Sequence, residues 1–134
     1  MNDEKKLQYS LLFLRATIFL VMFMWTVDKF VNPGHAIKIF EHFYFISGME
    51  SLAIKMIGAI ELALLICFLV GYQKKYTYGF VLLLHAGSTL SSFNQYLSPF
   101  EGSNLLFFAA WPMLAACFSL FIMRDSDKLL CINR

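Results

Sequence analysis

Charged residues are scarce in this chain. Asp, Glu, Lys and Arg make up 15% of its 134 residues, against about 25% in a typical soluble domain. Hydrophobic residues account for 59% and aromatic residues for 17%, with 15 Phe, and the mean hydropathy is +0.63. A water-soluble globule of this size could not bury so much apolar surface. The composition therefore excludes a disordered or collagenous chain and predicts an integral membrane protein.

The small net charge and the few cysteines exclude further classes. A formal net charge of +2 does not indicate a nucleic acid or other polyanionic partner. Cys67, Cys117 and Cys131 form no CxxC pair and have no His at zinc-finger spacing, so no disulfide framework, dithiol motif or metal site is predicted. The chain also lacks a nucleophile elbow, a Walker loop and the paired histidines of a haem-binding span, so ordinary hydrolase and kinase mechanisms have no residues to use.

Four apolar runs are long enough to cross a bilayer, which takes about 20 residues for ~30 Å of hydrocarbon. They cover roughly residues 9–27, 51–70, 76–97 and 104–123. The first run carries Arg15 and has no small-residue cleavage site, so we interpret it as a retained span rather than a signal peptide. The predicted fold is all-α: a single membrane domain over residues 1–134, built as a four-helix bundle.

The distribution of Lys and Arg predicts the orientation. Four spans place both termini on one side of the membrane. Most of the basic residues lie at the termini or in the second connection, namely Lys5, Lys6, Arg15, Lys74, Lys75, Arg124, Lys128 and Arg134, and the rest lie at the first connection, namely Lys29, Lys38 and Lys55. This asymmetry predicts that both termini are cytoplasmic.

The first connection is the only outer segment long enough to fold. Asn32-Pro33-Gly34 is a typical helix start, and a helix is expected over roughly residues 34–46, ending near Ser47-Gly48. Apolar and polar residues take opposite sides of it, with Ile37, Phe40, Phe43 and Tyr44 on one and His35, Lys38, Glu41 and His42 on the other. The pattern predicts an amphipathic helix in the outer interface. His35 and His42 would lie ~10 Å apart on a helix, too far to share a metal ion.

Ionisable residues inside the apolar runs are the candidates for function, because each costs about 2.5–3.5 kcal/mol at a helix centre on insertion scales. Glu61 and His85 each lie about nine residues into their runs, at the same depth. The two side chains could face each other. Two interpretations follow: a polar contact that holds helices together, or a site for a polar ligand or a headgroup such as that of a quinone.

Other residues extend this candidate site. A polar stripe at intervals of three, four and three follows His85 and predicts an inward polar face on the third run. Arg15 could either snorkel to the headgroups or reach Glu61. The outer aromatic residues, Trp25, Tyr44, Tyr96 and Trp111, form an aromatic belt or, in the minority interpretation, a ring-stacking pocket. The candidate ligand-binding residues are Glu61, His85, Arg15, Ser88, Ser92, Gln95, Trp25 and Trp111.

Short motifs in the first two runs resemble those of the DoxX-like family of small membrane proteins. The residues that carry the resemblance are Arg15, Lys29, Pro33, Gly58, Glu61 and Gly71. The family has Gly where this chain has Thr26. The resemblance implies a four-helix membrane bundle, a bacterial inner membrane and an association with redox chemistry, because relatives occur as subunits of a thiosulfate:quinone oxidoreductase or beside thiol-handling and superoxide-handling enzymes. It does not establish catalysis.

Two functions are expected to compete. The first is a small inner-membrane subunit of a redox system, which binds a quinone-like or other amphipathic ligand within the bundle and docks a partner enzyme or a second copy. The alternative is a non-catalytic accessory or assembly subunit that anchors another membrane complex. A solute carrier is a weaker third interpretation, because no internal repeat or pair of broken helices is seen.

Overall fold

The computed structural model describes residues 1–132, and this part of the chain is helical, without a strand. Its elements in order are α1 (Asp3–Val31), α2 (Pro33–Phe43), α3 (Ser51–Leu69), α4 (Lys74–Ser91), α5 (Phe93–Leu97), a 3-10 helix (Asn104–Ala109) and α6 (Ala110–Ile122). Among the described residues, three stretches are long and apolar enough to cross a membrane: Asp3–Val31, Ser51–Leu69 and Asn104–Ile122. These stretches correspond to the first, second and fourth predicted runs.

The first helix is longer than the predicted run because it is well capped. The Asn2 side chain accepts a hydrogen bond from the Lys5 amide at 3.0 Å. Asp3 and Glu4 lie in the first turn, where acidic side chains interact favourably with the helix dipole. At the other end, the Asn32 amide bonds to the Asp28 carbonyl. Pro33 then occupies the first turn of α2, as expected for a residue without an amide hydrogen.

The third predicted run is not one continuous helix. Residues 76–97 are divided at Ser92 into α4 and the short α5. Near the break, hydroxyl groups bond back to carbonyls of the preceding turn: Thr89 to His85 at 2.8 Å, and both Ser91 and Ser92 to Ser88. Such bonds compete with the helix ladder and bend helices.

The last stretch changes its geometry close to its proline. It begins as a 3-10 helix and becomes α6 at Ala110, two residues before Pro112. Because proline has no amide hydrogen, Pro112 cannot continue the i to i−4 ladder to the Phe108 carbonyl. The last stretch therefore runs as a 3-10 helix to Ala109 and as an α-helix only from Ala110.

The long helices run in alternating directions around one core. The most extensive packing joins α1 to α3 and α4 to α6, and further contacts join α1 to α6 and α3 to α4. Large apolar side chains also remain exposed on every long helix, for example Phe13, Ile60, Leu83 and Phe118. The core side chains are Leu11, Ile18, Leu65, Phe68, Tyr78, Val81, Cys117 and Leu120.

Candidate functional site

A buried polar cluster joins α1, α4 and the C-terminal segment (residues 123–132). We call Arg15, Tyr78, Asp127 and Cys131 the Arg15 cluster. Arg15 Nη1 lies 2.7 Å from Asp127 Oδ2, and the Tyr78 hydroxyl donates to the same oxygen at 2.7 Å. Cys131 Sγ lies 2.6 Å from Arg15 Nη1. The side chains of Arg15 and Asp127 are 1% and 0% exposed, so the ion pair is shielded from solvent and strongly coupled.

Neither expectation for Arg15 describes its contacts. Its side chain points toward the end of the bundle where the chain termini lie, as snorkelling requires, but it ends on Asp127 rather than at a headgroup. It does not pair with Glu61, whose cation among the described residues is Lys29. Asp127 and Tyr78 were not predicted as site residues. The sequence signal for Asp127 was its place as an acidic residue a few positions beyond the last apolar run. The sequence does not show that its side chain is buried.

The C-terminal segment is held by side chains from two helices. Gln8 Oε1 accepts the backbone amides of Lys128 at 3.0 Å and Leu129 at 3.1 Å. Arg15 Nη2 donates to the Leu129 carbonyl at 2.6 Å. The Lys74 ammonium group donates to the backbone carbonyl of Asp127. The start of α1, the start of α4 and the C-terminal segment therefore meet at one end of the bundle.

Gly71 provides the space for Cys131. Its φ of +68° belongs to the left-handed region, and a Cβ at this position would lie 2.5 Å from Cys131 Sγ. Beside it, the Ile132 amide donates to the Val70 carbonyl at 2.9 Å. Any residue larger than glycine would displace the thiol from the Arg15 cluster, and the backbone conformation itself favours glycine.

A second polar group, which we call the Glu61 pair, joins α1 to α3. Lys29 Nζ lies 3.0 Å from Glu61 Oε2, and the Thr26 hydroxyl donates to the same oxygen at 3.2 Å. The helices come close here because of Gly58, where a Cβ would lie 3.0 Å from the Phe30 ring. The side chains of Lys29 and Glu61 are 12% and 20% exposed, so the pair is partly shielded from its surroundings.

The predicted contact between Glu61 and His85 is not formed within the described residues. The ring Nε2 of His85 lies 3.0 Å from the Ala110 carbonyl, and because a carbonyl only accepts, this nitrogen must carry the proton. Equal depth along two helices does not determine which faces they present to each other. Glu61 faces α1, whereas His85 faces the start of α6.

The predicted polar stripe on the third run is only partly inward. His85 and Ser92 are buried, but Ser88 is exposed, and the buried polar side chain between them is Thr89. Gln95 lies beyond the helix break, with its Nε2 atom 3.3 Å from His42 Nε2 of α2. The break at Ser92 changes the helical register only for Gln95. Ser88 lies before the break, and the inward position there is taken by Thr89, four residues after His85.

The two tryptophans belong to different aromatic sets. Trp25 stacks on His35 with ring centroids 6.3 Å apart, and His35 Nδ1 lies 2.6 Å from Asp28 Oδ2. Trp111 packs against Tyr96 at 5.5 Å. His35 is therefore held against α1 rather than simply solvated, and the structure does not assemble the tryptophans into one ring-stacking pocket.

An open, apolar groove lies between α4 and α6. Its volume is about 400 Å³. The residues that line it are Leu82, Trp111, Leu114, Ala115 and Phe118. Trp111 is the candidate ligand-binding residue that contacts this space. Because α6 belongs to a stretch apolar enough to cross a membrane, the groove offers an apolar chain a place on the side of the bundle.

Comparison with known proteins adds no relative: no family model, curated protein or solved structure matches this chain. The structure places five of the six motif residues in two groups, and the sixth, Pro33, begins α2. Arg15 and Gly71 meet at the Arg15 cluster, and Gly58 allows the contact between Lys29 and Glu61. In residues 1–132, no group of three or more His, Cys, Asp or Glu is arranged to hold a metal ion.

Proposed function

We propose that this chain is an integral membrane protein whose four long helical stretches all cross the bilayer. Three stretches meet the length and hydropathy expected of spans. The remaining long helix, α4, corresponds to the third predicted run. It has 18 residues and packs against both α3 and α6. Because α4 packs against two spans and also exposes Phe80 and Leu83, it fits a lipid environment better than water. This gives the four-helix bundle of the DoxX-like resemblance.

In this proposal the protein lies in a bacterial inner membrane, and both of its termini are cytoplasmic. The end of the bundle that holds the C-terminal segment also carries Lys6, Lys74 and Lys128, in accordance with the positive-inside rule. Arg134 belongs to the same predicted group and lies outside the described residues. At the opposite end, α2 would lie in the outer interface with Lys38 exposed and Ala36 buried against the bundle.

The function that the geometry supports best is binding of an amphipathic, quinone-like molecule by a small membrane subunit of a redox system. The groove between α4 and α6 carries this proposal. Its walls are apolar and it is largely open, so in a bilayer an isoprenoid or acyl chain could lie in it. Trp111, backed by the Tyr96 ring, offers a flat surface for a headgroup. The assignment to redox chemistry and to a partner enzyme rests on the family resemblance.

This site differs from the one expected inside the bundle. Glu61 and Arg15 already have intramolecular ionic partners, and His85 is bonded to a carbonyl. A ligand that displaced the contact of Arg15 with Asp127 would leave a buried charge unpaired, at a cost of about 3–5 kcal/mol. Binding in the groove avoids this cost.

The experiment is purification in mild detergent followed by lipid extraction and mass spectrometry. We expect a quinone or another isoprenoid at close to one molecule per chain. Ala115→Phe should fill the groove and reduce this occupancy at least tenfold. Ala59→Phe, at an exposed position on α3, is the matched control and should leave the occupancy unchanged. Equal lipid content in both variants, without enrichment of any one lipid, would contradict the proposal.

The second candidate is a non-catalytic accessory subunit that anchors another membrane complex. It is favoured by the observation that Arg15, Glu61 and His85 all join helices or segments of the same chain. Such contacts supply specificity to a bundle in lipid. A stoichiometric protein partner in the purified sample, without an enriched lipid, would support this candidate over the first.

A further inference from the structure

Two basic side chains lie where the α4–α6 pair meets the C-terminal segment. Lys75 belongs to the first turn of α4, and Arg124 follows the end of α6 at Ile122. Among the described residues, neither Lys75 nor Arg124 forms an ion pair, and the neighbouring Asp125 is exposed and pairs with neither. This end of the α4–α6 pair therefore presents two positive charges that no described carboxylate neutralises.

The Phe121 ring places Arg124 beside α4. The guanidinium carbon of Arg124 lies 4.6 Å from the ring centroid, and its Nη1 donates to the Phe121 carbonyl at 2.8 Å. A Cβ on Gly79 of α4 would lie 3.3 Å from the same ring, so the ring packs directly on that helix. Lys75 lies four residues before Gly79, on the same face of α4. The two cations therefore border one surface.

The guanidinium group of Arg124 keeps unused hydrogen-bond donors. Arginine has five N–H donors, and within residues 1–132 its side chain bonds to the Phe121 carbonyl alone. Its side chain is only partly buried. A guanidinium group binds phosphate oxygens through two parallel N–H groups, and a lysine adds a mobile point charge. The pair thus suits a phosphate group.

Exposed apolar side chains continue from these cations along both helices. They are Tyr76 and Phe80 on α4, and Phe118 and Ile122 on α6. The last stretch, which contains α6, is apolar enough to cross a membrane, and tyrosine is typical of the membrane–water interface. Cations at the end of an apolar surface complement a molecule with an anionic headgroup and hydrocarbon chains.

We propose that this surface binds an anionic phospholipid, with its phosphate on Arg124 and Lys75 and its acyl chains along α4 and α6. Basic side chains next to membrane spans attract anionic lipids. The inference rests on the proposed crossing of the bilayer by α4 and α6. It does not depend on the ligand of the groove, which extends from Phe118 toward Trp111, away from Arg124.

The experiment measures lipid binding to the delipidated full chain in detergent by native mass spectrometry. Phosphatidylglycerol is compared with phosphatidylcholine of identical acyl chains, and we expect it to bind about tenfold more tightly. Arg124→Gln should remove most of this preference, and Lys75→Gln should reduce it several-fold. Lys128→Gln is the matched control, because it removes one positive charge from an exposed position at the same end of the bundle. It should leave the preference almost unchanged.

Arg124→Lys gives a second readout that does not require loss of the charge. It keeps the positive charge without the forked donors, so it should retain part of the preference even if Arg124→Gln fails to fold. Equal affinity for the two lipids would overturn the proposal. Equal losses in Lys75→Gln and Lys128→Gln would overturn this location, and displacement of the lipid by millimolar inorganic phosphate would identify a phosphate site instead.

The groove variant separates this inference from the proposed function. Ala115→Phe should reduce isoprenoid occupancy and leave the preference for phosphatidylglycerol intact. A preserved preference without any isoprenoid in the unmodified protein would contradict the proposed ligand of the groove alone. Isoprenoid occupancy without a preference for phosphatidylglycerol would contradict the anionic lipid site alone.

Discussion

At the scale of single residues, Gly71 is the position where both the backbone conformation and the packing favour glycine. Gly71→Ala should destabilise the protein by about 1–3 kcal/mol, because alanine is strained at φ +68° and its Cβ would collide with Cys131. Gly87→Ala is the control: it lies within α4 with no atom within 4 Å of the added Cβ, and should be neutral or stabilising by about 0.5–1 kcal/mol. Thermal unfolding in detergent measures both. Equal effects would contradict the packing of Cys131 on Gly71.

The ion pair between Arg15 and Asp127 should show strong non-additivity. Asp127→Leu alone leaves a buried guanidinium without its carboxylate, and Arg15→Met alone leaves a buried carboxylate without its guanidinium. Each single variant should therefore lower the free energy of unfolding by about 3–5 kcal/mol. The double variant removes both charges and should recover much of that loss. The free energy of unfolding, measured for the set of four proteins, gives the coupling. Additive losses would show that the two side chains do not form a pair.

At the scale of helices, the Glu61 pair should contribute to the association of α1 with α3. Lys29→Gln and Glu61→Gln should each be destabilising, and their double variant should show a coupling of about 1 kcal/mol, moderate because both side chains are partly exposed. A ligand site at Glu61 would behave differently: Glu61→Gln would leave stability almost unchanged and remove lipid occupancy. A double-mutant cycle combined with lipid analysis separates these outcomes.

The helices themselves could be predicted from the sequence, but their facing sides could not. Runs of apolar residues located α3 and the last stretch to within one residue at each end, whereas α1 begins at Asp3 and ends at Val31, beyond both ends of its predicted run. The break at Ser92 was missed because it arises from hydroxyl groups bonding to the backbone. The sequence paired Glu61 with His85 because the two residues lie at equal depth. Depth along a run does not determine the rotation of each helix about its axis. Such rotation is decided by packing at positions such as Gly58.

At the scale of the whole molecule, the C-terminal segment shows the limit of local reasoning. Its residues follow the last apolar run and look like a polar tail, yet Asp127 is fully buried. Several of the contacts that hold it come from Gln8 and Arg15, more than 100 positions away in the chain. Composition predicted an integral membrane protein, whereas these contacts between distant parts of the chain depend on the fold and could not be predicted.

The orientation of the bundle in the membrane is the last property that can be tested. Lys75 lies beside Lys74, whose side chain contacts the C-terminal segment, while Lys38 is exposed on α2 beyond the other end of α1. In a variant with Cys67→Ser, Cys117→Ser and Cys131→Ser, Lys38→Cys should react with a membrane-impermeant maleimide added to intact cells. Lys75→Cys should react only after the cells are permeabilised, because the positive-inside rule places it in the cytoplasm. Labelling of Lys75→Cys alone in intact cells would reverse the proposed topology, and labelling of both would contradict a bundle whose ends lie on opposite sides of the membrane.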